Sequence, residues 1–259
     1  GMFTKNKFAA HCVGFTKKKI EKNPLKVMII NSGNANAATG KQGAINNKAI
    51  ALLASQILKI EKSEVGVAST GVIGEQLPIK KIEQGLNTLL ADVTKKDAEN
   101  MSKAILTTDT FQKAVFKEAV INGKKIEIAG VAKGAGMIAP NMATMLVFLV
   151  TNARINSDQL KKCLTKAVDD SFNAISIDTD TSTNDMVLCF STGDKNAEMH
   201  TKEEKQEFYK LLLEASQELA KMIVKDGEGA TKFVEVVVKG AANWKDARVL
   251  AKSVVDRSE

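Results

Sequence analysis

Residues 113–131 read KAVFKEAVINGKKIEIAGV. Two alternating apolar runs, Lys113 to Ile121 and Lys125 to Val131, flank Asn122-Gly123. Asn-Gly is the strongest short hairpin signal, because a two-residue turn between twisted strands needs positive φ at both central positions. An antiparallel hairpin in mid-chain argues against a purely parallel, doubly wound sheet.

Upstream of the hairpin, apolar periodicity switches between strand and helix. Leu25 to Ile30 reads as a strand ending in Asn31-Ser32-Gly33, followed by a helix from about Gln42 to Leu58. Val65 to Ala68 reads as a short strand ending in Ser69-Thr70-Gly71. Pro78 opens a helix to Leu90, as proline does at a first helical position. Asp97 to Leu106 is a helix with an acidic start. Downstream, Thr144 to Val150 and Met186 to Ser191 are strands, and Ser157 caps a helix to about Phe172. Lys202 to Val224 forms a long amphipathic helix, Lys232 to Val238 a strand with one wet face, and Trp244 to Val255 a closing helix. The expected class is mixed α/β (α+β), with mixed or antiparallel sheets packed with helices.

Composition narrows the function. At 259 residues, 44% hydrophobic and 26% charged, the chain has the balance of a soluble globular protein. No apolar run approaches the ~18 residues that span a bilayer, and Met2 to Lys5 does not read as a signal peptide. A cytoplasmic home is expected, with no membrane partner. The net charge is +7, yet only Arg154, Arg248 and Arg257 are arginines. Arginine is the better bidentate reader of phosphate and guanine, and aromatic stacking platforms are scarce, so nucleic acid is not expected as a partner. Cys12, Cys163 and Cys189 are odd in number and far apart, and read as buried thiols.

The chain holds two histidines, His11 in an N-terminal stretch and His200 among charged residues. That leaves little for a histidine-based nucleophile device or a clustered-histidine metal site. Asp169-Asp170 and Asp178-Thr179-Asp180 read as a helix end and a polar turn, without the loop spacing of a calcium hand. No metal or organic cofactor is expected.

The densest anomaly is residues 130–145, GVAKGAGMIAPNMATM, where Gly134, Gly136 and Pro140 interrupt an apolar stretch around Lys133. Three readings are open from the residues. It is a tight loop between core strands; or a phosphate-cradling glycine loop, although Ala139-Pro140 breaks that pattern and a strand follows; or a self-cleaving segment. In the last case a threonine attacks the preceding carbonyl and frees its own α-amine. That amine, with an ordinary pKa of ~7.7–8.0, then serves as general base beside the hydroxyl.

The run from Lys133 to Met145 resembles the cleavage motif of the glutamate N-acetyltransferase (ornithine acetyltransferase) family of arginine biosynthesis. Further segments resemble that family in the same order: Met2 to Ala10 (MFTKNKFAA), Ile30 to Ala37 (INSGNANA), Ser69 to Gly74 (STGVIG), Thr107 to Thr110 (TTDT) and Asp226 to Lys232 (DGEGATK). The resemblance covers essentially the whole chain. It implies autoproteolysis between Ala143 and Thr144, giving a segment 1–143 and an intertwined segment 144–259 that starts with the nucleophile.

It further implies that Thr144 accepts acetyl from N-acetylornithine as an ester and passes it to glutamate. Thr70 and Gly71 would form the oxyanion hole, and Thr107, Lys133 and Glu228 would hold substrate. Two cleaved chains would make a heterotetramer, and acetyl-CoA is a possible second donor. Family chains carry about fifty more residues before the first motif and a long extension after Val255 that supplies further substrate contacts, so this chain reads as shortened at both ends. The rival readings are a self-processing aminopeptidase or amidase of similar architecture, and an inactive fragment.

Overall fold

The structure, a computed structural model, describes residues 1–91, 98–138, 145–178 and 180–256. The first half runs β1 (Met2–Phe3), α1 (His11–Ile20), β2 (Val27–Asn31), α2 (Gly40–Leu58), β3 (Val65–Ser69), α3 (Ile79–Ala91), α4 (Ala98–Ala104), β4 (Lys113–Ile121) and β5 (Lys124–Lys133). The second half runs β6 (Leu146–Thr151), α5 (Ser157–Asp169), β7 (Met186–Ser191), α6 (Lys202–Lys225) and α7 (Trp244–Val255).

The hairpin forms as its turn residues dictate. β4 and β5 pair antiparallel from Lys113 opposite Ala132 to Ile121 opposite Lys124, and Asn122 and Gly123 take φ of 49° and 75°. β5 then pairs antiparallel with β6, β6 pairs parallel with β7, and β1 closes the edge antiparallel to β7. The sheet order is β1-β7-β6-β5-β4, and a separate two-stranded parallel sheet joins β2 and β3. The architecture is mixed α+β, as the sequence implied.

Strand β6 shows why the five-stranded sheet carries a layer on each face. Successive side chains of a strand point to opposite faces. Val147 and Leu149 join a core with Leu164, Phe208, Leu212 and Leu219 of α5 and α6. Leu146 and Phe148 join a second core with Val13, Ala51, Val65 and Val67 of α1, α2 and β3. Fully burying each such side chain contributes roughly 1.5–3 kcal/mol. The middle strand is therefore apolar in every position but Thr151, while the hairpin ahead of it alternates.

Several expectations needed correction. Asn156 rather than Ser157 caps α5, its side chain accepting the Gln159 N–H at 2.9 Å. Helix α1 and the short β1 were not legible. α1 has no side-chain N-cap and carries Lys17-Lys18-Lys19 in its last turn, but it packs on β3 through buried Cys12, Val13 and Thr16. Thr16 Oγ1 donates to Val67 O at 2.6 Å and accepts the Val67 N–H at 2.9 Å. Residues 232–238 pair with no strand among the described residues, and α7 has no buried residue. Alternation needs a neighbouring edge to become a strand, and none among the described residues pairs with it. Of the three cysteines only Cys12 is fully buried; Cys163 and Cys189 are half-buried. The expected α4 start at Asp97 and the β6 start at Thr144 lie outside the described residues. No helix among those described is long and apolar enough to cross a membrane.

Candidate active site

β3 delivers its end into a crowded turn. Thr70 N–H donates to Asn31 O at 3.1 Å, Val72 N–H to Gly33 O at 3.3 Å, and Ala35 N–H to Val72 O at 2.9 Å. Gly71 has φ +130°, and a Cβ there would lie 2.2 Å from the Gly33 carbonyl carbon and 2.4 Å from Asn34 N. Only glycine combines that torsion with that approach. Its N–H meets no acceptor among the described residues. A cleft of about 490 Å³, lined by Asn31, Gly33, Asn34, Gln76 and Lys81, opens beside this turn.

Lys133 ends β5 and is 2% exposed. Its Nζ points at Thr70 Oγ1, 3.4 Å away, and lies 3.8 Å from Asp109 Oδ2. Burial lowers its pKa, against the pull of Asp109, Glu228 and Asp185. A buried ammonium with two long contacts is poised for a further anion, because an unpaired buried charge is costly.

Asp109 knits the surroundings together. Its Oδ1 accepts Lys113 Nζ at 2.7 Å and Gly134 N–H at 2.6 Å, and its Oδ2 accepts Thr107 N–H at 3.2 Å. Lys113 Nζ also donates to Asp226 Oδ2 at 2.5 Å. Asp226 in turn accepts the N–H and hydroxyl of Thr110. Burial alone would raise Asp109 and Asp226, yet Lys113 and the other donors hold both below the usual carboxylate range.

Glu228 completes the group. Its N–H donates to Ala135 O at 2.7 Å. Its carboxyl covers Gly136 so closely that a Cβ there would lie 2.7 Å from Cδ and 2.8 and 2.9 Å from the two oxygens. The structure thus gathers Thr70, Gly71, Lys133, Glu228 and Thr107. The last arrives through its backbone contact with Asp109 rather than through its hydroxyl. Ala143 and Thr144, the expected cleavage pair and nucleophile, lie outside the described residues. Met145, bonded to Thr144, is described, and its N–H donates to Asp185 Oδ1 at 3.1 Å. Burial pushes the Asp185 carboxyl well up, against the Met145 N–H, the Ser182 and Thr4 hydroxyls and Lys133.

Sequence reasoning missed Asp109, Lys113, Asp226 and Asp185. One signal was present: Lys113 sits in phase with the inward Val115 of β4, and a charge on an inward phase must find a partner. Asp169 and Asp170 behave as a helix end, bonding Asn173 and Tyr209. Among the described residues, no group of three or more histidine, cysteine or acidic side chains converges as a metal site.

Comparison with known proteins gives a consistent result. The model of the ArgJ family matches residues 1–258. The arginine biosynthesis bifunctional protein ArgJ 1 of Clostridium acetobutylicum is 47% identical over 257 residues, covering 98% of this chain and 63% of its own length. The corresponding ArgJ protein of Thermotoga neapolitana is 45% identical, covering 98% of this chain and 65% of its own length. The crystal structure of the Bacillus halodurans argJ protein superposes with a TM-score of 0.50 at 40% identity, over 54% of this chain and 74% of that one. The chain therefore spans roughly two thirds of the length of these curated relatives. With a family match across nearly every residue and relatives near 45% identity, the chain belongs to the ArgJ family.

Proposed function

We propose that this chain forms an acetyltransferase of arginine biosynthesis that makes its own nucleophile by cleavage at Ala143-Thr144. In the first half-reaction Thr144 Oγ attacks the acetyl carbonyl of N-acetylornithine. The freed Thr144 amine takes the hydroxyl proton and returns it to the departing ornithine nitrogen. In the second, the neutral glutamate amine attacks the acetyl-threonine ester; the Thr144 amine takes one N–H proton and returns it to the departing Oγ, leaving N-acetylglutamate and free Thr144. The relatives are named bifunctional, and acetyl-CoA is the second donor proposed for this chain.

The contact between Lys133 Nζ and Thr70 Oγ1 carries this reading. A lysine donating to that oxygen leaves the threonine hydroxyl proton free for a developing oxyanion, beside the N–H of a glycine with no room for a side chain. Loss of one such donor typically costs ~2.7–4 kcal/mol in barrier. Lys133 also offers its charge to a substrate carboxylate, and Glu228 offers a carboxylate to a substrate ammonium. Strands from both sides of position 143 share one sheet, which supports segments 1–143 and 144–259 staying associated after cleavage. A cytoplasmic heterotetramer of two cleaved chains is the proposed assembly.

Incubation with N-acetylornithine, with and without glutamate, is the test. Formation of N-acetylglutamate only when both are present is expected. Release of free acetate at the same rate without glutamate would make the chain a hydrolase instead.

A further inference from the structure

Asp178 and Asp180, expected to belong to no more than a polar turn, open a loop whose described residues, 177–178 and 180–185, touch the chain on both sides of positions 139–144. Upstream, Asp178 Oδ1 accepts Ile138 N–H at 2.7 Å and its Oδ2 accepts Met137 N–H. Ile138 O accepts Ile177 N–H at 2.8 Å, and Ile138 bridges Thr181. Downstream, Asp185 Oδ1 holds Met145 N–H at 3.1 Å, and Met145 O accepts Met186 N–H at 3.2 Å. Between the two carboxylates, Asn184 Nδ2 donates to Ser69 O at 2.8 Å and to Ala35 O at 2.7 Å. Its Oδ1 accepts the Thr183 hydroxyl at 2.6 Å, which fixes the amide orientation. Asn184 and Asp185 are 4% and 0% exposed.

The first motif of the chain backs this loop. Thr4 Oγ1 donates to Ser182 O at 2.8 Å, Asn6 Nδ2 to Thr181 O at 2.9 Å, and Ala10 N–H to Thr183 O at 2.8 Å. One loop therefore grips the residues before the scissile segment, the residue bonded to Thr144, and the carbonyl of the peptide leading into Thr70. A solvated turn would need none of these bonds, and buried polar groups persist only where they are satisfied.

We infer that residues 177–178 and 180–185 are the positioning element of this enzyme: Asp178 and Asp185 fix the chain on either side of the scissile bond, and Asn184 fixes the peptide that leads into Thr70 and Gly71. The inference rests on Thr144 being the nucleophile. All three act through backbone and are positioning residues, because a misplacement of about 1 Å costs on the order of 100-fold in rate.

The test follows cleavage of the freshly translated full chain by intact mass, then acetyl transfer by kcat and KM. Melting curves confirm that each variant is folded. Asp185→Leu and Asp178→Ala are expected to slow cleavage about 100-fold. Asp185→Asn keeps an oxygen for Met145 N–H and is expected to stay near wild type. Asp178→Asn keeps only one of two acceptors and falls between. Asn184→Asp, nearly isosteric, loses the bonds donated to Ser69 O and Ala35 O and is expected to lower kcat with KM unchanged. The inference is overturned if folded Asp185→Leu and Asp178→Ala cleave at the wild-type rate, or if Asp185→Asn is as slow as Asp185→Leu. Should the first two not fold, Asn184→Asp at wild-type kcat overturns it. A wild-type chain that stays whole instead sinks the Thr144 reading and this inference with it, whereas a defect confined to the variants leaves that reading intact.

Discussion

Around Lys113 the protein buries charge, whereas between residues 232 and 255 it exposes apolar side chains. Lys113 is 0% exposed with two carboxylates on its ammonium, while Val234, Val237 and Trp244 are about 60% or more exposed. The contrast lies in partners, not residue type. Asp109 and Asp226 come from two separate sequence motifs to meet Lys113, so its desolvation is offset by paired, directional bonds. The 232–255 arm has the right alternation and an amphipathic helix, but touches the body sparsely, as through Arg248 Nη2 to Asn173 O at 2.9 Å. A cavity of about 490 Å³ is lined by Val237, Trp244 and Ala251 of the arm together with Leu213, Gln217 and Asp170 of the body.

The sharpest way to break the contrast is Lys113→Met. Removing the cation leaves two buried carboxylates uncompensated, and a loss of about 3–5 kcal/mol in urea-determined stability is expected. A loss under about 1 kcal/mol would mean that the network is solvated. Gly71→Ala comes next: the Cβ meets backbone, the turn shifts, and kcat for acetyl transfer should fall roughly 100- to 1,000-fold. Glu228→Gln should raise KM for the amino-acid substrates by about tenfold, the loss of a charged hydrogen bond, with a smaller change in kcat.

The pH dependence of stability probes the same buried corner. Asp109 and Asp226 are held below their ordinary values in the folded state, so the stabilisation they give is complete above the unfolded carboxylate pKa of ~3.9. It is lost only as pH falls through the depressed folded values. The urea midpoint should carry the full contribution of this pair, with no change on its account, between pH 8 and 5, and should drop below about pH 4. The smallest effect belongs to the arm. Val237→Lys should leave stability within about 0.5 kcal/mol of wild type, and a larger loss would show the arm packed in solution.

Local signals carried much of the fold. The hairpin, its Asn122-Gly123 turn, β7 and helices α2, α5 and α6 followed from periodicity and turn chemistry, which act over a few residues. The strand expected at 232–238 failed because pairing is a tertiary event. Helix α1 escaped notice because its stability comes from packing on β3, not from caps. In the candidate site, Thr70, Gly71, Lys133, Thr107 and Glu228 were named through motif resemblance alone; the structure sets Lys133 Nζ 3.4 Å from Thr70 Oγ1, and their roles belong to the proposal. Asp109, Lys113 and Asp226 were not legible, because an ion network spanning 117 positions leaves no local trace. Asp178 read as part of a polar turn and Asp185 drew no reading, because their backbone partners Ile138 and Met145 lie 40 positions away in the chain.

The central claim is that a hydroxyl beside a self-generated amino terminus replaces the missing histidine. Intact mass of the purified chain tests it most directly. Wild type should resolve into pieces of 143 and 116 residues, with Thr144→Ala remaining a single 259-residue species. A wild-type chain that stays whole after prolonged incubation, or a Thr144→Ala chain that still splits between residues 143 and 144, would contradict it.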